Sequence, residues 1–279
     1  MMRGIKKYVL FFAVLLIMGL SSSALQATEG MLMMATTTST DNTGLLDYLQ
    51  PLFKTDTGIE IRWVAVGTGK ALELGKNCDV DVLMVHAPAA EKKYIADGYG
   101  VQRTQIMYND FVFIGPESDP AGVEGKSVSD ALSMITSRSA RFSSRGDDSG
   151  THKMEIGLWK SAGFVVPDRE SWYIQTGQGM LSTINIAAEI GAYTLTDRGT
   201  YIKYEANFGG NPPLVILVEG DPQLRNQYSV IMVNPERCQR VQKELVKEFI
   251  RWITSPRTQG LIGDFRMLGK QLFIPNAKE

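Results

Sequence analysis

The sequence predicts an α/β protein of two lobes, with mixed, mostly parallel sheets, helices on both faces and a hinged cleft between the lobes. Three observations predict it. Short β-type apolar runs alternate with stretches of helical periodicity, the pattern of parallel strands joined by helical crossovers. The chain has 279 residues, enough for one large domain or two modest ones once a leader of about 30 residues is set aside. Loop-like composition after Pro116 and the Gly209-Gly210-Asn211-Pro212-Pro213 breaker interrupt the alternation twice, marking passages between lobes.

The N-terminus carries Arg3, Lys6 and Lys7, then an apolar run from Tyr8 to Leu20, then Ser21, Ser22, Ser23, Ala24 and Ala27. That order predicts a secretory signal peptide over residues 1–27. The apolar run is too short for a membrane span, which needs roughly 20 residues. Cleavage is expected after Ala27, with Ala24 as the alternative. No Cys stands at either place, so the mature chain is expected free in the periplasm and not lipid-anchored.

Lobe one is expected over residues 28–112 and 225–279. Met31 to Ala35 reads as a buried strand, and Leu45, Leu46, Leu49, Leu52 and Phe53 form one face of the following helix. Ile59 to Val66 and Val80 to Val85 are further strands, with a helix near Lys70 between them. Asn109 to Pro116 reads as a strand that leads into lobe two, expected over residues 113–224. There, Ser127 to Ser137 and Thr151 to Ala162 read as helices, with Arg141 to Ser144 extended between them. Trp172 to Gln175, a helix from Gly179 to Glu189 and a strand from Ala192 to Thr196 complete the lobe. Leu214 to Val218 and Tyr228 to Val233 carry the chain back, and a helix is expected from Pro235 to Thr254.

Loss of the three leader cations takes the formal charge from −1 to about −4. A mildly acidic chain is a poor match for nucleic acid, so any anion must be held by local donors rather than by the overall field. Cys78 and Cys238 are the two cysteines, and the compartment permits a bridge; two small buried residues are the equal alternative. With only His86 and His152 besides, no zinc-ligand spacing is present, and no protein-bound metal or cofactor is expected.

The densest polar feature is Ser143-Ser144-Arg145-Gly146-Asp147-Asp148-Ser149-Gly150-Thr151, between a strand and a helix. Ser149, Gly150 and Thr151 fall at the helix start, where free N–H groups and the positive dipole end attract an anion. Arg145 adds a permanent, fork-shaped donor set suited to oxyanions, and Asp147 is placed to hold that guanidinium from behind. An ordinary capped helix would account for Asp148 or Ser149, but not for an arginine beside two glycines. As a cell-adhesion signal, Arg145-Gly146-Asp147 is too short to carry weight.

A second cluster, Thr36-Thr37-Thr38-Ser39-Thr40, occupies the turn after the first strand and offers five hydroxyls. Gly67-Thr68-Gly69-Lys70-Ala71 fails as a nucleotide P-loop, because Val64 and Ala71 stand where Gly and Ser or Thr belong, yet Thr68 can still donate to a small anion. In lobe two, the backbone N–H near Met180 and the Thr194 hydroxyl are further candidates. An enzyme built on Ser149 and His152 lacks a third group and a clear alignment, so catalysis is not expected.

In this order the turns resemble the type II periplasmic binding proteins of ABC importers, over nearly the whole mature chain. Arg145 to Thr151 is similar to the Arg-x-Asp-x-Ser-Gly-Thr signature of the phosphate binders. The resemblance is closer to the tungstate-binding branch, through Thr36 to Thr40, Gly67 to Ala71, Val85 to Pro88, Ser144 to Thr151 and Thr194 to Thr200. The resemblance implies a monomeric delivery protein for tungstate or another tetrahedral oxyanion, working with an ABC permease and its ATPase. It does not assign the contact to one hydroxyl of the Thr run. Phosphate binders carry an Asp where this chain has His86; a fully deprotonated anion offers only acceptors and is repelled by a buried carboxylate. His86 therefore argues against phosphate, whereas tungstate and molybdate are not separated by this physics.

Overall fold

The computed structural model describes residues 30–278, so the leader read at residues 1–27 lies outside them. The chain runs β1 (Gly30–Thr37), α1 (Thr38–Asp41), α2 (Leu45–Thr57), β2 (Ile59–Val66), α3 (Thr68–Lys76), β3 (Val82–Val85) and α4 (Pro88–Ala96). It continues through β4 (Gly100–Pro116), α5 (Val128–Ser137), β5 (Phe142–Ser144), α6 (Gly150–Ser161), β6 (Tyr173–Gln175), α7 (Met180–Ile190), β7 (Tyr193–Asp197) and α8 (Arg198–Asn207). The remainder is β8 (Leu214–Val218), β9 (Arg225–Val233), α9 (Lys243–Thr254), α10 (Pro256–Asp264) and the short strands β10 (Arg266–Met267), β11 (Lys270–Gln271) and β12 (Ile274–Pro275).

Strands β2-β1-β3-β9-β4-β7-β5-β6 lie in that spatial order, with β8 and β12 also on β4. Pairing is parallel within β2-β1-β3 and within β7-β5-β6, and antiparallel where β9 and β4 join the two sets. The 17-residue β4 belongs to both: it pairs with β9 up to Asp110, and with β7 and β8 from Phe111 on.

The two-residue period of the strands explains why each set has helices on both faces. Leu32, Met34, Val82, Met84, Val230 and Met232 pack on α2 and α9 through Phe53, Phe249 and Trp252. Their neighbours Ala35, Leu83, Val85, Ile231 and Val233 face the opposite side, with Leu72 and Tyr94. In the same way Phe111 and Phe113 join one core with Phe142 and Trp159, whereas Val112 and Ile114 join another with Ile184 and Tyr204. Ile202 of α8 departs from this separation, being buried with Leu272 in the core under α2 and α9.

Two expectations are corrected. The strand expected from Asn109 starts at Gly100, because its first half alternates irregularly and shifts register twice against β9. The helix expected from Pro235 starts only at Lys243. Asn234 turns the chain there by accepting from the Glu236 N–H, and buried Asp81 accepts from the Gln242 N–H at 2.9 Å, fixing the later start. Helices α4, α8 and α10 escaped the periodicity reading; α4 and α8 carry no clean apolar stripe. The cysteine question is settled as a Cys78–Cys238 disulfide, Cα–Cα 5.4 Å.

Candidate anion-binding site

The C-terminal ends of β1, β2 and β3 lie side by side, with Thr37 opposite Val66 and Thr36 opposite Met84. The turns at Thr38–Ser39, Gly67–Thr68 and His86–Ala87 therefore share one sheet edge. Thr36 is fully buried and donates its hydroxyl to Met84 O at 2.9 Å, so it ties β1 to β3 and has no proton left for a ligand. Thr37 is buried as well and caps α1 by accepting from the Thr40 N–H. Thr38 and Ser39 are exposed. Thr68 opens α3 behind Gly67 with no side-chain cap, leaving the first N–H groups of that helix free to donate.

His86 sits directly behind this hydroxyl run. Its ring stacks on Tyr228 with centroids 4.7 Å apart, and Nε2 lies 3.0 Å from both Thr37 Oγ1 and Ser39 Oγ. On the other side Nδ1 is 2.9 Å from Asn226 Oδ1, while Asn226 Nδ2 donates to Asn109 Oδ1 at 2.8 Å. Burial holds the imidazole pKa below its ordinary value, against the opposing pull of the Asn226 hydrogen bond and the Asp197 charge. His86 is thus neutral near pH 7.

The second parallel set repeats the arrangement. Ser144 lies opposite Gln175, and Ser143 opposite Thr194. Thr194 donates to Ser143 O at 2.7 Å and is 1% exposed, so its hydroxyl holds the sheet; the expectation that it donates to a ligand does not fit this geometry. The following turn places Arg145 with its Nη2 2.5 Å from Asp147 Oδ2, while the buried Nε has no acceptor. Asp147 Oδ1 accepts from the Ser149 N–H, so one carboxylate braces both the guanidinium and the helix start. Gly146 has φ +60, and a Cβ there would meet Gln175 Cβ at 2.8 Å, so the turn requires glycine.

Ser149 caps α6 by accepting from the His152 N–H. Among the described residues the N–H groups of Gly150 and Thr151 find no acceptor. Beneath them buried Glu155 accepts from Ser144 Oγ at 2.6 Å, Tyr173 OH at 2.6 Å and Trp159 Nε1 at 3.1 Å. Met180 opens α7 behind Gly179, again with no side-chain cap.

These two edges meet at the crossover. On β9, Ser229 faces Val85 of β3 and Asn226 faces Asn109 of β4; on β4, Phe111 faces Asp197 at the end of β7. The Asp197 carboxylate acts electrostatically on His86 and Tyr228, and Lys203 of α8 donates to Asn42 O at 2.9 Å. The chemistry available is donation to an anion: one guanidinium, several hydroxyls and helix N–H groups. A Ser149–His152 dyad is not formed, since His152 Nδ1 accepts from the Asp148 N–H. Among the described residues no cluster of His, Cys, Asp and Glu is fit to hold a metal ion.

Sequence reasoning missed Asn109, Asn226, Tyr228, Glu155 and Asp197. The one available signal was an asparagine at the polar start of each of two apolar strand runs, Asn109 with Asp110 before Phe111-Val112-Phe113 and Asn226 with Gln227 before Tyr228.

Residues 22–257 match the model of the PBP superfamily domain. The chain is 52% identical to the tungstate-binding protein TupA of Campylobacter jejuni, over 86% of this chain and 89% of that protein. It is 65% identical to the solved tungstate-binding protein TupA from Desulfovibrio alaskensis G20, with TM-score 0.88, over 89% of this chain and 100% of that one. The solved tungstate ABC transporter protein from Geobacter sulfurreducens is 45% identical, with TM-score 0.72, over 84% of this chain and 98% of that one.

Proposed function

The chain belongs to the PBP superfamily and, within it, to the family of the tungstate-binding proteins TupA, and on that premise we propose that it is the periplasmic solute-binding component of an ABC importer that captures tungstate between its lobes. Residues 28–112 with 225–279 form one lobe and 113–224 the other, with β4 and β9 as the crossovers. Ser39, Thr38 and Thr68 donate from the first lobe. Arg145, Ser149, Gly150, Thr151 and the Met180 N–H donate from the second. Thr36, Thr37 and Thr194 stand behind them as supports. The chain acts as a monomer and carries no chemistry of its own; its leader is removed on export, and the loaded form is handed to a membrane permease driven by an ATPase.

The observation that carries this reading is the Arg145 guanidinium, braced by Asp147 beside the unpartnered N–H groups at the start of α6. An acceptor-only dianion satisfies these donors, and His86 puts no carboxylate opposite it. Tungstate and molybdate present the same charge and nearly the same size, so the preference for tungstate rests on the named relatives. Competitive calorimetric titration of the mature protein with tungstate, molybdate, sulfate and phosphate tests it. One tungstate per chain, with phosphate far weaker, is the expected result; phosphate binding as tight as tungstate overturns it.

A further inference from the structure

The two asparagines in the crossover strands engage the ring that supports the anion donors. We propose that Asn226, held by Asn109, is a positioning residue for oxyanion binding: it fixes His86 with the proton on Nδ1, so that Nε2 takes the buried Thr37 proton and leaves the Ser39 hydroxyl free to donate into the cleft. This rests on the reading that Ser39 belongs to the anion site.

Proton accounting leads to this assignment. Asn226 Nδ2 is engaged by Asn109 Oδ1 at 2.8 Å, which turns its carbonyl oxygen toward His86 Nδ1 at 2.9 Å. Two lone pairs at that distance repel, so Nδ1 carries the hydrogen and donates it. Burial keeps the ring neutral; Nε2 is then a pure acceptor, 3.0 Å from Thr37 Oγ1 and Ser39 Oγ. Thr37 Oγ1 already accepts from the Thr40 N–H and lies 2.7 Å from Thr40 Oγ1. Thr37 is 3% exposed, so its one proton stays among three acceptors, His86 Nε2, Thr40 Oγ1 and Ser39 Oγ, the last 3.0 Å away, and it goes to Nε2, the most basic of them. Ser39 is exposed, and its proton remains for a ligand that offers only acceptors.

Asn109 and Asn226 face each other on β4 and β9, the strands that join the two sheet sets. The donor geometry of Ser39 is therefore anchored to the crossover itself, through the Tyr228-stacked ring.

The chain's two histidines give an internal control. His152 Nδ1 accepts from the Asp148 N–H at 3.0 Å, so its hydrogen sits on Nε2. Long-range proton–nitrogen correlation spectra of the unliganded full chain, assigned with His152→Gln, should show opposite tautomers for the two rings. Asn226→Leu should abolish the Nδ1–H form of His86 and weaken tungstate binding about tenfold. In a Ser39→Ala background the same change should cost less than twofold, which a loss of packing alone would not produce. An Nε2–H tautomer at His86 in the unaltered protein, an unchanged tautomer in Asn226→Leu, or full affinity in that variant overturns the inference while leaving the function standing. Failure of the unaltered protein to bind any oxyanion overturns the functional reading itself, and is distinguished because the tautomer is read without ligand.

Discussion

Removing Arg145 perturbs the site more than deleting one contact. The Arg145 side chain is 18% exposed, its Nη2 meets Asp147 Oδ2 at 2.5 Å and its Nε is buried without an acceptor. Burial alone pushes the Asp147 carboxyl up, but the hydrogen bonds from Ser149 and the Arg145 charge outweigh it and hold the pKa below its ordinary value. Arg145→Ala therefore leaves an ionised carboxylate where a cation stood, beside an incoming dianion. Truncating one partner of a buried, hydrogen-bonded charge pair costs about 2 to 5 kcal/mol, roughly 30-fold to several thousand-fold in affinity. Because part of that loss is repulsion by Asp147, Arg145→Ala/Asp147→Ala should bind more tightly than Arg145→Ala alone. Calorimetric titration gives the affinities, and thermal melts monitored by circular dichroism check that the fold survives. A loss of tenfold or less in the well-folded single variant, about 1.4 kcal/mol, refutes the placement of Arg145 against the ligand.

The Cys78–Cys238 bridge spans a sequence separation of 160, for which the chain-entropy model gives about 5 kcal/mol and typical measurements about 2 to 4 kcal/mol. Cys78→Ser/Cys238→Ser should lower the unfolding free energy within that range in denaturant titrations, with tungstate affinity unchanged, because Cys78 lies at the sheet edge opposite the donor turns. Burial holds the pKa of Glu155 above its ordinary value of 4.5, against the hydrogen bonds from Ser144, Tyr173 and Trp159. The folded state thus keeps its proton to higher pH than the unfolded state, and the stability this contributes is complete below pH 4.5 and lost as pH rises through the raised value. The destabilisation caused by Glu155→Gln should shrink as pH rises from 4.5 to 7; a destabilisation that grows over that window contradicts the assignment.

Much of the strand framework was legible because a half-buried strand writes its two faces into alternate residues. Ile59–Val66 was readable to the residue, and the α6 start was visible from Ser149 and the glycine beside it. What escaped depends on tertiary contacts. The first half of β4 is irregular on its own and becomes a strand only against β9. Helix α8 distributes Tyr201, Ile202 and Tyr204 between different neighbours and so shows no single apolar stripe. In the site, residue type pointed to donors, but hydroxyl direction is a tertiary property. Thr36 and Thr194 look like Ser39 in sequence, yet both spend their protons on neighbouring strands. His86 was read as a selectivity element by comparison with an aspartate; its partners Asn226 and Asn109 lie 140 residues away and on a different strand, respectively, beyond any local pattern.

Everything proposed about the cleft requires a single anion to touch donors from both sides of the crossover. Crystals of the mature protein grown with tungstate, measured at the tungsten L-III edge, locate that anion directly by its anomalous scattering. The account predicts one peak per chain within hydrogen-bonding reach of the Arg145 guanidinium, the Gly150 and Thr151 N–H groups and the Ser39 hydroxyl. A peak that contacts the α6 turn but leaves Ser39 and Thr68 without a ligand, or one outside the cleft, contradicts it.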